Sequence, residues 1–363
     1  MASNDFDIDF DIDLSQVSTP ALIQPPGVIR KLLAPTDTEH EYILALDWTT
    51  LSNYLECSQK GEYNFVFSRN SGGTAALVYG SAVHKALEHY YRQKARGLPP
   101  VMATVVEEIE QEFLRQPLPP GEWRTPERAL DTFVAYTERY HHEAYQVLGT
   151  PDQPFVEQPF SFTLCALDIN TTLPYAKSLL VKDWPETADQ SLYVSRLIIN
   201  WTGVIDLGLL SPQNDLWLVD HKTASVTGPA YMKAFAMAGQ FIGYSEAFRS
   251  LTGSAPMGVI GNFLVRRKPT VKGKGKELEL ERQHYEFPEW KLAHWRRTVL
   301  SQVERLVHDL TTGIFAENST ACNGKYGLCK YFDVCMSNPA SGERLSHLMS
   351  DSFVFNVWNP LDR

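Results

Sequence analysis

Asp206 lies in an apolar run, Trp201-Thr202-Gly203-Val204-Ile205-Asp206-Leu207-Gly208. A second run, Leu216-Trp217-Leu218-Val219-Asp220-His221-Lys222-Thr223, carries an Asp-x-Lys triplet. Strand side chains alternate, so Asp220 and Lys222 share a face, roughly 7 Å apart. A turn centred on Gln213 sets Asp206 opposite Asp220 on that face. Charges among Val, Ile, Leu and Trp are costly to bury unless they pair or bind a metal. Two carboxylates and one amine converging there describe a divalent-cation site with a water-activating lysine. Phosphodiester hydrolysis needs that set: carboxylates hold Mg²⁺ or Mn²⁺, and the lysine orients or deprotonates water or stabilises transition-state charge. The competing reading is two surface acids near a turn and a salt-bridged lysine.

Three further groups could serve such a site. Gly80 to Arg96 has helical periodicity, with Val83, Leu87 and Tyr90 on its apolar face and His84 and Glu88 one turn apart beside it. A neutral His84 imidazole could complete the shell of a cation held by Asp206 and Asp220, favouring Mn²⁺ somewhat over Mg²⁺. Gln240 and Tyr244 share one helix face and could contact a DNA phosphate or steady Lys222. Of five cysteines, Cys322, Cys329 and Cys335 lie close together, while Cys57 and Cys165 lie far upstream. An odd count in an intracellular chain argues for metal ligation or free thiols. Cys57 with the last three could hold an iron–sulfur cluster or zinc, although the paired knuckles usual for zinc are missing.

The chain has 363 residues, enough for one large domain or two modest ones. No apolar run approaches the roughly 20 residues of a membrane helix, and the acidic N-terminus does not resemble a secretory signal. The expected compartment is the cytoplasm. A net charge of -10 disfavours phosphate binding, but five of the acids alternate with apolar residues over Asp5 to Asp13. That stretch reads as an acidic-hydrophobic tail able to dock on a protein partner, or as a solubilising tail. Basic residues cluster at Arg266, Arg267 and Lys268 and again at Lys272, Lys274 and Lys276. The Lys-Gly loop is a candidate DNA backbone clamp, or simply a solvated hairpin tip.

The elements that must position these residues follow from pattern and punctuation. Helices are predicted over about 51–57, 80–96, 103–115, 126–148, 230–251 and 288–313, and strands over 155–164, 191–200, 202–210, 216–223, 257–266 and 277–287. Residues 165–190 read as an irregular insertion. The order implies an α/β or α+β core, a mixed sheet flanked by helices, and no regular doubly wound series.

Taken together, these motifs resemble the PD-(D/E)XK nuclease superfamily, in its RecB/AddB-like branch with a [4Fe–4S] cluster. CRISPR-associated adaptation exonucleases and phage exonucleases belong to that branch. Gly80, His84 and Glu88 match its GxxxHxxxE helix, Gly203 and Asp206 its GxxD strand, Asp220 and Lys222 its (D/E)xK strand, and Gln240 and Tyr244 its QxxxY helix. Leu51 to Cys57 is similar to the segment bearing the first cluster cysteine, and Cys329 to Cys335 to the closing one. Asp220 stands where Glu is common, and six residues separate Cys322 from Cys329 where two are usual.

The resemblance implies a restriction-endonuclease-like mixed sheet with a C-terminal Cys-rich cluster-binding segment. Its domains would be a tail over 1–48, a nuclease domain over 49–336 and an extension over 337–363. It implies a metal-dependent DNA exonuclease of recombination, repair or phage DNA processing. In that reading His84, Asp206 and Asp220 ligate Mg²⁺ or Mn²⁺, and Lys222, Gln240, Tyr244 and Glu88 complete the catalytic set. Cys57, Cys322, Cys329 and Cys335 hold a structural [4Fe–4S] cluster, with zinc as the alternative. Arg266, Arg267, Lys272, Lys274 and Lys276 would contact DNA. The alternative from another class is a non-catalytic nucleic-acid-binding or adaptor protein on a nuclease scaffold.

Overall fold

The computed structural model describes residues 33–70, 73–173, 192–269, 277–324, 327–338, 343–355 and 361. The acidic tail and the lysines at 272, 274 and 276 lie outside the described residues.

A mixed sheet forms the centre. Its strands are β1 (Leu33–Pro35), β2 (Glu41–Leu46), β3 (Val156–Leu173), β4 (Leu192–Leu210), β5 (Leu216–Ala224), β6 (Gly258–Arg266) and β7 (Leu278–Glu286), with a two-residue strand at Gln146–Val147. The order β1-β2-β4-β5-β6-β7 runs across it, and β3 lies along the other edge of β4. Pairing is parallel for β2 with β4 and for β5 with β6, and antiparallel for β3 with β4, β4 with β5 and β6 with β7.

One strand organises the rest. Predicted as two strands, 191–200 and 202–210, β4 is a single run of 19 residues. One edge pairs with β3 along nearly its whole length. The other edge forks. It pairs with β2 from Arg196 to Trp201 and with β5 from Leu207 to Leu210. Between these stretches, residues 203–206 pair with neither.

Helices cover both faces. On one face lie α1 (Trp48–Glu56), α5 (Gly239–Thr252) and α6 (Glu289–Thr312), sharing a core with Ile205, Leu218, Val259 and Phe263. On the other lie α2 (Ala75–Ala95), α3 (Met102–Arg115) and α4 (Pro126–Tyr140), sharing a core with Leu207, Leu209, Val219 and Leu264. Thr125 caps α4 by accepting from the Arg128 amide, and Pro126 occupies its first position. That helix stops eight residues short of the predicted 148, giving way to the two-residue strand at Gln146–Val147.

The helix predicted over 230–251 is broken. Pro229–Ala234 is helical, Ala238 is extended, and α5 begins at Gly239. A β-carbon on Gly239 would stand 2.1 Å from the Trp48 ring, so glycine admits the close approach of α1. The break places Gln240 in the first turn of α5.

The expected C-terminal cluster-binding segment is corrected. The segment is a short hairpin, Asn323–Gly324 with Gly327–Leu328, and a helix at Phe332–Met336. Tyr331, Val334, Leu348 and Phe353 pack on Tyr63, with Cys329 and Cys335 as partly buried members of that cluster. Apolar side chains pack it. Here the two cysteines behave as small hydrophobes.

Leu87 is fully buried where α2 meets α3 and α4. Leu87→Ala should cost about 2–5 kcal/mol in the stability measured by urea denaturation, because the helix carrying His84 loses its central contact.

Candidate metal centre

α2 begins at Thr74, whose hydroxyl accepts from the Leu77 amide at 3.4 Å. Its buried face is Ala82, Val83, Ala86, Leu87 and Tyr90. Gly80 lets the helix press on β5, since a β-carbon there would stand 2.9 Å from Thr223 Oγ1. That approach sets His84 over the end of β5, with Nε2 2.8 Å from the His221 carbonyl. A carbonyl only accepts, so Nε2 carries the proton, and in a neutral ring Nδ1 presents its lone pair. Nδ1 stands 3.6 Å from Asp206 Oδ2.

Asp206 occupies the fork in the sheet. Continuing the β4–β5 register beyond Leu207↔Val219 sets it opposite Asp220, as the sequence predicts. Its Oδ2 accepts from the His221 amide at 2.8 Å. The third member is Glu157 on β3, which sequence reasoning missed. The register Val156↔Leu207 and Gln158↔Ile205 brackets it beside Asp206. Both strands change face there: Ile205 and Phe160 belong to one core, Leu207 and Val156 to the other. On β3 the crossing is made by Glu157 itself, at φ 47. His84, Glu157 and Asp206 each offer a ligand atom, all within 4.8 Å of one another. Two carboxylates and an imidazole lone pair that close fit a Mg²⁺ or Mn²⁺ ion.

Asp220 and Lys222 lie across the sheet from α2. Asp220 is fully buried, and its Oδ2 stands 2.7 Å from Lys222 Nζ. The same Nζ donates to Gln240 Oε1 at 2.9 Å, and Gln240 Nε2 donates to Tyr244 Oη at 2.7 Å. The triplet and the helix pair thus form one chain of contacts, while the close ligand group takes Glu157 and does not include Asp220. Glu88 is bound by Lys85 and Arg92 on its own helix, outside the ligand group. Of the expected DNA contacts, Arg266 is buried against Asp131 and Arg267 pairs with Glu279.

A buried polar network backs the centre. Asn262 Nδ2 is 2.6 Å from His221 Nδ1 and donates to Tyr136 Oη at 3.1 Å. Arg282 donates to Asn262, to both Tyr91 and Tyr136 hydroxyls and to Glu143. His221 and Asn262 face each other in the β5–β6 register. None of these residues has a role in the sequence reading. The one signal was a histidine and an asparagine set in apolar strands.

The iron–sulfur cluster and its zinc alternative are corrected. Cys57, Cys322, Cys329 and Cys335 form no disulfide and line one open cavity of about 780 Å³. Among the described residues, no three cysteines bring their sulfurs within 4.8 Å, whereas His84, Glu157 and Asp206 meet that spacing. Among the described residues, the candidate metal site is built from His, Glu and Asp. No described helix is long and apolar enough to cross a membrane.

A family model described as the PD-(D/E)XK nuclease superfamily matches residues 48–336. The match reaches the superfamily, and the cysteine arrangement does not support its cluster-bearing branch. Among solved structures, a protein from Eubacterium rectale described as a candidate exonuclease is similar. It shares 11% identity at a TM-score of 0.43, over 75% of this chain and 84% of that chain. No curated protein matches the chain.

Burial pushes the His221 imidazole from 6.5 down to about 3. The unfolded chain therefore takes up a proton that the folded chain refuses. This contribution to stability is full above about pH 6.5 and is lost as pH falls toward 3. Glu62 acts in the opposite sense, because burial raises its carboxyl from 4.5 to about 7 and its contribution fades as pH rises through that range. Comparison with His221→Gln isolates the histidine. In EDTA, the wild-type advantage in urea denaturation should grow by about 1.4 kcal/mol per pH unit across the His221 window. A flat difference would show that the imidazole titrates alike in both states.

Proposed function

Because the chain belongs to the PD-(D/E)XK nuclease superfamily, we propose that it is a Mg²⁺- or Mn²⁺-dependent nuclease that hydrolyses DNA from an end. The observation that carries this reading is the convergence of His84, Glu157 and Asp206 at one edge of the Asp220–Lys222–Gln240 chain.

His84, Glu157 and Asp206 would hold the cation, with Asp220 as a further carboxylate opposite Asp206. When bound, such an ion neutralises phosphate charge and acidifies a water. The remaining work falls to the chain itself. His84 spends its Nε2 proton on the His221 carbonyl, which turns Nδ1 toward Asp206. Asp206 keeps one oxygen fixed on the His221 amide. Lys222 is held from two sides, by the Asp220 carboxylate and the Gln240 amide oxygen, so its ammonium needs little reorganisation to meet charge developing on phosphate oxygens. Tyr244 fixes the Gln240 amide that holds it.

The test is cleavage of end-labelled linear DNA and closed circular DNA, single- and double-stranded, with Mn²⁺ or EDTA. Linear substrates should be degraded and circles spared, in Mn²⁺ alone. Lys222→Ala should lower the rate by about 10²–10³-fold while leaving DNA binding measurable. Cleavage of circles would move the reading to an endonuclease. No cleavage by the folded, Mn²⁺-loaded protein would favour the binding-module alternative.

A further inference from the structure

Glu88 ends the Gly80-x-x-x-His84-x-x-x-Glu88 motif, yet its carboxylate is not among the close ligands. Its partners show where it acts. Glu88 Oε1 accepts from Arg92 Nε at 3.0 Å and stands 3.0 Å from Arg92 Nη2. Lys85 Nζ holds Oε2 at 3.0 Å. The guanidinium so fixed donates from Nη2 to the Val156 carbonyl at 3.1 Å. His84, Glu88 and Arg92 follow one another at i, i+4 and i+8, which is one stripe of the helix.

Val156 precedes Glu157, the residue at φ 47. A glutamate in the left-handed region is strained and persists only where its surroundings fix it. Val156 is fixed from two directions, by pairing with Leu207 and by Arg92. One face of α2 therefore supplies a ligand, His84, and also a strap across the strand that supplies another.

We propose that Glu88 and Arg92 are positioning residues that clamp the Val156 carbonyl and hold Glu157 in the left-handed turn that aims its carboxylate at His84 and Asp206. The inference rests on the reading of Glu157 as a metal ligand. The competing account is an ordinary helix ion pair. Arg92 is 41% exposed and Glu88 20%, so such a pair would add little stability and would not affect metal binding.

Mn²⁺ binding to the full chain, measured by calorimetry, separates the two accounts. Arg92→Ala should weaken Mn²⁺ binding by about 10-fold or more with little change in thermal midpoint. Arg92→Lys, which keeps a donor, should recover part of the loss. In a Glu157→Gln background, Arg92→Ala should add almost nothing, because the ligand it positions is already gone. Unchanged binding by Arg92→Ala beside a weakened Glu157→Gln overturns the inference alone, as does a fully additive double variant. Wild-type binding by Glu157→Gln overturns the ligand assignment and the inference with it. Should Arg92→Ala fail to fold, Glu88→Gln gives the same readout without emptying the site of side-chain volume.

Discussion

The backbone unit of His221 is the point on which the centre depends. Its amide fixes Asp206 and its carbonyl fixes His84, so one strand residue sets two side chains from different elements. Neither contact is a ladder bond. Both are available because β4 and β5 stop pairing at Leu207↔Val219, which leaves the next amide and carbonyl to side chains. A buried amide without a partner costs about 1–3 kcal/mol, so the fork and the ligands stabilise each other. Had β4 and β5 kept pairing, Asp206 would lose its anchor and the site its opening.

What keeps that backbone in place lies behind it. Arg282, Glu143, Tyr91, Tyr136 and Asn262 form a buried network ending on the His221 ring. Buried charge is rarely the most stable way to fill a core, and an apolar set of equal volume often does as well or better. Its gain here is directional. Asn262 reads the ring by one hydrogen bond, and the ring cannot rotate without breaking it. An apolar core would hold the His221 ring by volume alone, without a directional contact. The network exchanges some stability for orientation at the one residue whose orientation both ligands share.

Legibility in the sequence followed the range of the interactions. Asp206 opposite Asp220 could be read because a short turn, Ser211 to Asp215, fixes the register of a hairpin. His84 with Glu88, and Gln240 with Tyr244, could be read because helix spacing is local. Glu157 could not. It meets Asp206 across strands joined by a long connection, and it does so through a left-handed residue that no alternation pattern predicts. The break before α5 was hidden for a similar reason, since it answers to Trp48, distant in sequence. The cysteines misled in the other direction. Three near the C-terminus suggested a ligand set, but aromatic packing around Tyr63 and Tyr331 places two of them.

The two faces of the sheet also divide the chemistry. Along β5, His221 belongs to the side of α2 and α4, while Asp220 and Lys222 belong to the side of α5. A flat, fully paired sheet would keep these groups apart. The crossing of β3 and β4 from one core to the other, at Glu157 and Asp206, brings the carboxylates to the level where the sides meet. On β3 the crossing falls at the left-handed backbone of Glu157, whereas β4 crosses at Asp206 without a positive φ. The strain is local, of the order of 1–3 kcal/mol, and the elements that offset it are those the site already needs: β4 on one side and the helix bearing His84 on the other.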